Sequence, residues 1–354
     1  MIPVLAALLV IHVGPIAPEV PSREPKMAVR GSDVALAFGA GSAIYFAISR
    51  DSGATFSDPV KVAESAVIPL TRHRGPRIVF SGSAIVITAV AGKTAASGPH
   101  AHGLPSDGDL IEWRSVDNGK TWSSGVTIND VPGAPTEGLH TLASDGKGRL
   151  FAAWLDHRGG HGTKLYGAQS RDNGVSWSKN VLIYKSPDGT ICECCHPSLV
   201  FDAQGEVAVM WRNWLGGSRD MYLARSRDGV RFSQPVKLGE GTWKLNACPM
   251  DGGGIVNADG RLVTAWRREH DLFLASPGAP ETRIAQGIDV ALASGRDGLY
   301  AIWSTPSGVR AMIPKQAQPM ELAPQGSFPD IASVGQGAVA AWEEDGKIAI
   351  RRIP

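Results

Sequence analysis

The chain has 354 residues, and its 35 basic against 34 acidic side chains leave a formal charge of +1. So even a balance provides no electrostatic footprint for nucleic acid or an anionic membrane surface. With 42 Gly and 24 Pro, the punctuation is that of many short strands and turns, which makes all-β the expected class.

From the N-terminus, Ile2 to Val13 is apolar apart from His12, and Gly14-Pro15-Ile16-Ala17 follows with small residues suited to signal-peptidase cleavage near Ala17. Residues 1–17 then read as an export signal, which puts the protein in a secreted or periplasmic compartment and leaves 18–354 as one domain. A rival reading starts from the lack of Lys or Arg before the apolar run: part of Val10 to Val20 is a strand that closes the fold beside the C-terminus. The run is too short to span a bilayer.

Further along, one short pattern occurs four times: Ser49-Arg50-Asp51-Ser52-Gly53-Ala54-Thr55-Phe56, Ser115 to Trp122, Ser170 to Trp177, and the shortened Ser226 to Phe232. Its Asp residues (Asp51, Asp117, Asp172, Asp228) are 66, 55 and 56 positions apart, a period that suits one four-stranded blade and is too long for helical or leucine-rich solenoids. Asp followed by Gly supplies a side-chain turn bond and a positive φ, which a tight hairpin needs.

A second periodicity is an apolar strand ending in Trp: Ala153-Trp154, Met210-Trp211, Ala265-Trp266, Ile302-Trp303 and Ala341-Trp342. Each follows a Gly-bearing turn and an inner strand. Units at Met27 to Val62 and Arg77 to Ile128 share the order without the Trp, so seven blades are expected in a β-propeller of antiparallel four-stranded sheets. The last unit, Phe328 to Ile353, holds three strands. Either the N-terminal segment donates its fourth, or the ring has six blades and a spare hairpin.

In such a blade the loops before the inner strand and after the second strand share one face. His73, His140 and His196 precede inner strands, and His100, His102, His157, His161 and His270 follow second strands, so eight of the nine histidines project to that face. Arg212 and Arg267 follow Trp211 and Trp266 at equivalent positions, Arg158 lies four residues after Trp154, and Arg72, Arg74 and Arg77 lead into the second inner strand. Guanidinium groups so placed hold a carboxylate or sulfate in a fork, unless they pair with Asp156, Glu193 or Glu269.

The repeated turn resembles the Asp-box of sialidases and other Asp-box (BNR-repeat) propellers, where it joins the third and fourth strands of a blade on the face away from the active site. Glu193-Cys194-Cys195-His196 to Asp202, with Gly205 and Trp211-Arg212-Asn213, is similar to the family segment in which Glu precedes an inner strand and Arg-Asn ends the next; Glu137 with Arg158 is a looser match. The resemblance implies an exo-glycosidase acting on an acidic carbohydrate, with Glu193 and Glu137 as catalytic carboxylates and Arg212, Arg267, Arg158, Arg74, Arg77 and His140 on the ligand. The chain departs from the family where Glu24-Pro25-Lys26-Met27-Ala28 replaces the Phe/Tyr-Arg-Ile-Pro segment, and none of its five tyrosines matches the nucleophile segment. An interaction scaffold without catalysis is the fold-level alternative.

Cys192-Glu193-Cys194-Cys195-His196 contains the C-x-x-C-H pattern of haem attachment, with Cys194 unaccounted for. The four cysteines otherwise make disulfides, such as Cys192 or Cys195 with Cys248, or a soft metal site in which Cys192, Cys194, Cys195 and Cys248 with His196 or His140 hold copper or zinc for redox chemistry or metal handling. A Cys194–Cys195 bridge would be strained.

Overall fold

A computed structural model describes residues 9–98, 101 and 103–354; His100 and His102 lie outside the described residues. Seven antiparallel four-stranded sheets form the ring, a seven-bladed β-propeller. The inner strands are Ser22–Arg30, Arg77–Ser81, His140–Ser144, Ser198–Phe201, Gly254–Ala258, Ile288–Gly295 and Ser327–Ser333, and they number the blades one to seven. Second strands are sandwiched between neighbouring blades, so they read as continuous apolar runs. Every residue of Leu150–Asp156 is buried. The Trp that ends each such run sits in the seam: Trp154, Trp211, Trp303 and Trp342 are at most 1% exposed.

Ile11–Val13 pairs antiparallel with Lys347–Ile353, matching Ile11 to Ile350 and Val13 to Ile348, and completes the seventh sheet as its outermost strand. The two ends of the chain therefore close the ring, and no hairpin is left over. Cleavage near Ala17 would remove this strand.

The four Asp-boxes all join a third to a fourth strand, as between Ala43–Ser49 and Val60–Glu64. In the first, Ser49 Oγ donates to Asp51 Oδ1 (2.7 Å), Gly53 N donates to Ser49 Oγ (2.8 Å), and Thr55 donates its N–H to Asp51 Oδ1 (2.9 Å) and its hydroxyl to Oδ2 (2.6 Å). The same bonds recur around Asp117 and Asp172. The Thr hydroxyl bonds lead in holding both Asp51 and Asp117 at a pKa of about 2. Each turn also reaches the preceding blade: Trp122 meets the Phe46 ring edge-on at 5.3 Å, and Trp177 Nε1 donates to Glu112 Oε2 at 2.9 Å. Among the described residues no helix is long and apolar enough to cross a membrane.

Candidate functional site

The inner strands begin with an unusual backbone. Glu24, His73, Met250, Asp289 and Phe328 have φ of 54°, 69°, 55°, 58° and 49°, the left-handed region that non-glycine residues rarely occupy. In blades one, six and seven this coincides with a register shift against the second strand, between Arg23 and Lys26, Ile288 and Ala291, and Ser327 and Asp330. Such a bulge re-aims a side chain, and here Glu24, Asp289 and Phe328 all meet His73. Backbone strain of this kind costs about 1–3 kcal/mol per residue and gathers at functional sites.

The side chains so gathered form one polar cluster. His73 Nε2 bonds Asp289 Oδ1 at 2.8 Å, while Glu24 Oε1 accepts from the His73 N–H at 2.9 Å and Glu24 N donates to Glu343 Oε1 at 2.7 Å. Asp289 N donates to Asp251 Oδ2 at 3.1 Å, and Lys26 Nζ donates to Asp330 Oδ1 at 3.1 Å. The rings of His73 and His196 stack with centroids 4.3 Å apart, and Phe328 meets His73 edge-on at 5.4 Å. Together with Arg77 and Thr141, several of these groups line an axial cavity of about 180 Å³.

Electrostatics separate the two imidazoles. Burial opposes a charge on His73, but the hydrogen bond and charge of Asp289, with Glu24 and Asp251, outweigh it and raise its pKa. His196 is pushed well below the ordinary histidine range, by burial first and then by the positive charges of His73, Arg77 and Lys26. Its Nε2 is 3.1 Å from the Gly253 carbonyl, which can only accept, so Nε2 carries the proton and Nδ1 a lone pair. That Nδ1 is buried without a hydrogen-bond partner among the described residues, as is Oδ1 of Asp251. Burial also raises Glu24, and it raises Glu343 to about 7.

A larger cleft of about 890 Å³ opens between blades five, six and seven, lined by Arg267, His270, Trp303, Arg310, Phe328 and Asp289. Asp289 lines the axial cavity too, so the cleft ends on the His73–Asp289 pair. Arg267 spends Nε on the Glu269 carbonyl at 2.7 Å. Its two terminal nitrogens have no hydrogen-bond partner among the described residues, and the guanidinium lies over the Trp243 ring, 5.4 Å from its centroid.

The other residues singled out from sequence are placed differently. Arg212 is 1% exposed, and its guanidinium donates to the carbonyls of Asp251, Arg219 and Arg267 at 2.8–3.0 Å, tying loops together from a buried position. Arg158 is bound to Asp156 and Asp130 at 2.8 and 2.9 Å. Arg74 donates to the Glu137 carbonyl and carboxylate, and His157 lies 3.7 Å from the same carboxylate. Arg77, in the axial cavity, donates to the carbonyls of Pro76 and His73. His140 is fully buried against Thr88 and the Gly138 carbonyl, and burial holds its pKa near 3, so it is neutral. Glu193 is exposed, accepts from Thr190 Oγ1, and lines a separate surface depression with His161 and Lys164.

The disulfide joins Cys194 to Cys248, where the sequence suggested Cys192 or Cys195, and the latter two are buried free thiols. Sulfurs of Cys192, Cys194 and Cys195 lie within 4.8 Å of one another. With Cys194 committed to Cys248, two of the four proposed metal-ligating sulfurs remain as thiols.

Glu24, Asp251, Asp289, Phe328 and Asp330 were not singled out from sequence. A signal was present, since Glu24-Pro25, Gly75-Pro76, His196-Pro197 and Phe328-Pro329 all place a proline at the start of an inner strand.

Ring and repeat together define a seven-bladed propeller with Asp-box turns. Residues 97–239 match the family model of the BNR repeat-like domain. Among curated proteins no sequence matches the chain. Similar solved structures include a Hadza microbial sialidase at 13% identity, covering 90% of this chain and 73% of that one, with a TM-score of 0.54. An α-L-arabinofuranosidase from Fusarium graminearum has 12% identity, coverage of 98% and 97%, and a TM-score of 0.55. A polysaccharide lyase has 10% identity, coverage of 96% and 91%, and a TM-score of 0.57. At these identities the likeness is one of fold.

Proposed function

We propose that this propeller is an exported glycan-active protein that binds an anionic carbohydrate in the cleft between blades five, six and seven and cleaves it beside the His73–Asp289 pair. The observation that carries this reading is the shared position of Asp289, which lines both the substrate-sized cleft and the axial cavity. The cleft volume is that of ordinary ligand sites. Arg267 offers its terminal guanidinium nitrogens to a sugar carboxylate or sulfate, and the half-buried Phe328 supplies apolar surface for a pyranose ring.

Breaking a glycosidic bond needs a proton donor for the departing oxygen and an acceptor for the proton of the attacking water or, in elimination, for one abstracted from the sugar. His73, its pKa raised beside Asp289, is assigned the first role, and His196, kept neutral across from it, the second. Two like groups driven to opposite protonation states are the usual sign of such a division of labour.

The test is binding on an array of sialylated, uronic-acid and neutral glycans, followed by product analysis on whatever binds. Replacing Arg267 with Ala is expected to weaken anionic-glycan binding by at least about tenfold, the loss of one charged fork. Wild-type protein that binds no anionic glycan, or unchanged binding by the variant, would reject the assignment.

A further inference from the structure

The four cysteines sit apart from the cleft and form a set of their own. Cys192 Sγ is 3.1 Å from Cys195 Sγ and 3.8 Å from Cys194 Sγ, and Cys194 is bonded to Cys248. Three of these residues are buried, with Cys192 and Cys195 at 0% and 1% exposure, while Cys248 is exposed. Arg219 Nη1 donates to Cys192 Sγ at 3.0 Å, a contact that favours a thiolate. A buried C-x-x-C dithiol is thus in van der Waals reach of a disulfide whose far half belongs to an exposed residue.

We propose that these residues form a thiol–disulfide exchange relay, in which the Cys192–Cys195 pair passes two electrons to the Cys194–Cys248 bond and presents Cys248 to solvent as a reactive thiol for disulfide-bearing partners. The Cys192 thiolate attacks Cys194 Sγ, the Cys194–Cys248 bond breaks, and Cys248 leaves as a thiolate that takes a proton from water. Cys195 then gives up its proton and attacks Cys192 Sγ, and Cys194 leaves and takes that proton. One disulfide and two thiols exist before and after, so no outside oxidant is needed. An external disulfide meeting Cys248 would next be reduced to two thiols, with Cys194 closing the Cys194–Cys248 bond again.

The surroundings suit the direction of attack. Cys192 Sγ holds both the Arg219 contact at 3.0 Å and the approach to Cys194 Sγ at 3.8 Å, and Cys195 Sγ stands beside it at 3.1 Å to take the second step. Attack therefore starts at Cys192, and the sulfur released belongs to the exposed Cys248.

Wild-type protein, purified without reductant, is incubated at neutral pH with excess N-ethylmaleimide and then mapped by digestion and mass spectrometry. The relay predicts that Cys248 becomes alkylated and a Cys192–Cys195 disulfide accumulates, because trapping Cys248 pulls the exchange forward. A Cys194–Cys248 bond that persists, whether Cys192 and Cys195 are alkylated or untouched, would overturn it. So would protein that carries about one equivalent of copper or zinc on four reduced cysteines, the outcome of a closed thiolate site. In Cys192→Ser the labelling of Cys248 should stop, and labelling at the wild-type rate would count against the relay.

Discussion

The imidazole rings of His73 and His196 face one another 4.3 Å apart, one raised in pKa by Asp289 and the other kept neutral. A folded-state pKa above the unfolded value means that His73 contributes stability fully at low pH and loses it as pH rises through its folded pKa. Asp289→Asn should therefore cost more in acid than in base, because a charged buried imidazole then loses its partner. The expected loss is about 3 kcal/mol near pH 5.5 and clearly less near pH 9. Urea unfolding at the two pH values checks this, and an equal loss at both would separate His73 from Asp289 electrostatically.

Gly119, in the second Asp-box, has φ of 87°, and a Cβ placed there would fall on the ring of Phe46 in the preceding blade. Gly119→Ala combines backbone strain with overpacking, so a loss of about 2–4 kcal/mol is expected. Removing the acceptor by Asp117→Ala, which frees the Thr121 N–H and hydroxyl at an exposed turn, should cost less, about 1–2 kcal/mol. The comparison of the two melting curves shows whether interblade contact or turn chemistry holds the seam.

The architecture was legible because its signals are local: Asp51 to Thr55 is a complete turn, and Ala153-Trp154 marks a seam residue without reference to any other blade. Arg267 and the two axial histidines were also within reach, since position in the repeat places them. Arg212 was not. Its guanidinium is spent on carbonyls 39, 7 and 55 residues away, and no spacing rule announces that. Asp251 lies in the loop before the fifth inner strand and Asp289 in the sixth inner strand, and the bulge at the left-handed φ of Asp289 brings the two together. The Cys194–Cys248 pairing likewise depends on which of three adjacent sulfurs the loop points at Cys248.

Glu112 accepts from Trp177 Nε1 across the seam between blades two and three, and burial raises its pKa to about 7 against the opposing effects of Trp177 and Arg114. The folded protein therefore holds a proton that the unfolded chain releases above about pH 4.5, and the stability from this group is lost as pH rises to about 7. Glutamine keeps an acceptor for the indole and cannot ionise. Glu112→Gln should match the wild type near pH 4.5 and exceed it by about 2 kcal/mol near pH 8. Parallel stability curves across that range would show that the carboxyl ionises as freely in the fold as outside it.

Ile11–Val13 is the outermost strand of the seventh blade, and its loss would leave Lys347–Ile353 as an open edge with Val13, 6% exposed in the closed ring, gone from the core around Val34, Ile348 and Ile350. Burying two or three branched apolar side chains is worth about 3–5 kcal/mol, and an exposed strand edge invites pairing with another copy. A chain starting at Pro18 should thus melt earlier than one starting at Leu9 and show concentration-dependent association. Should both forms melt together and remain monomeric, the ring would be closed by interblade packing alone, and processing near Ala17 would carry no structural cost.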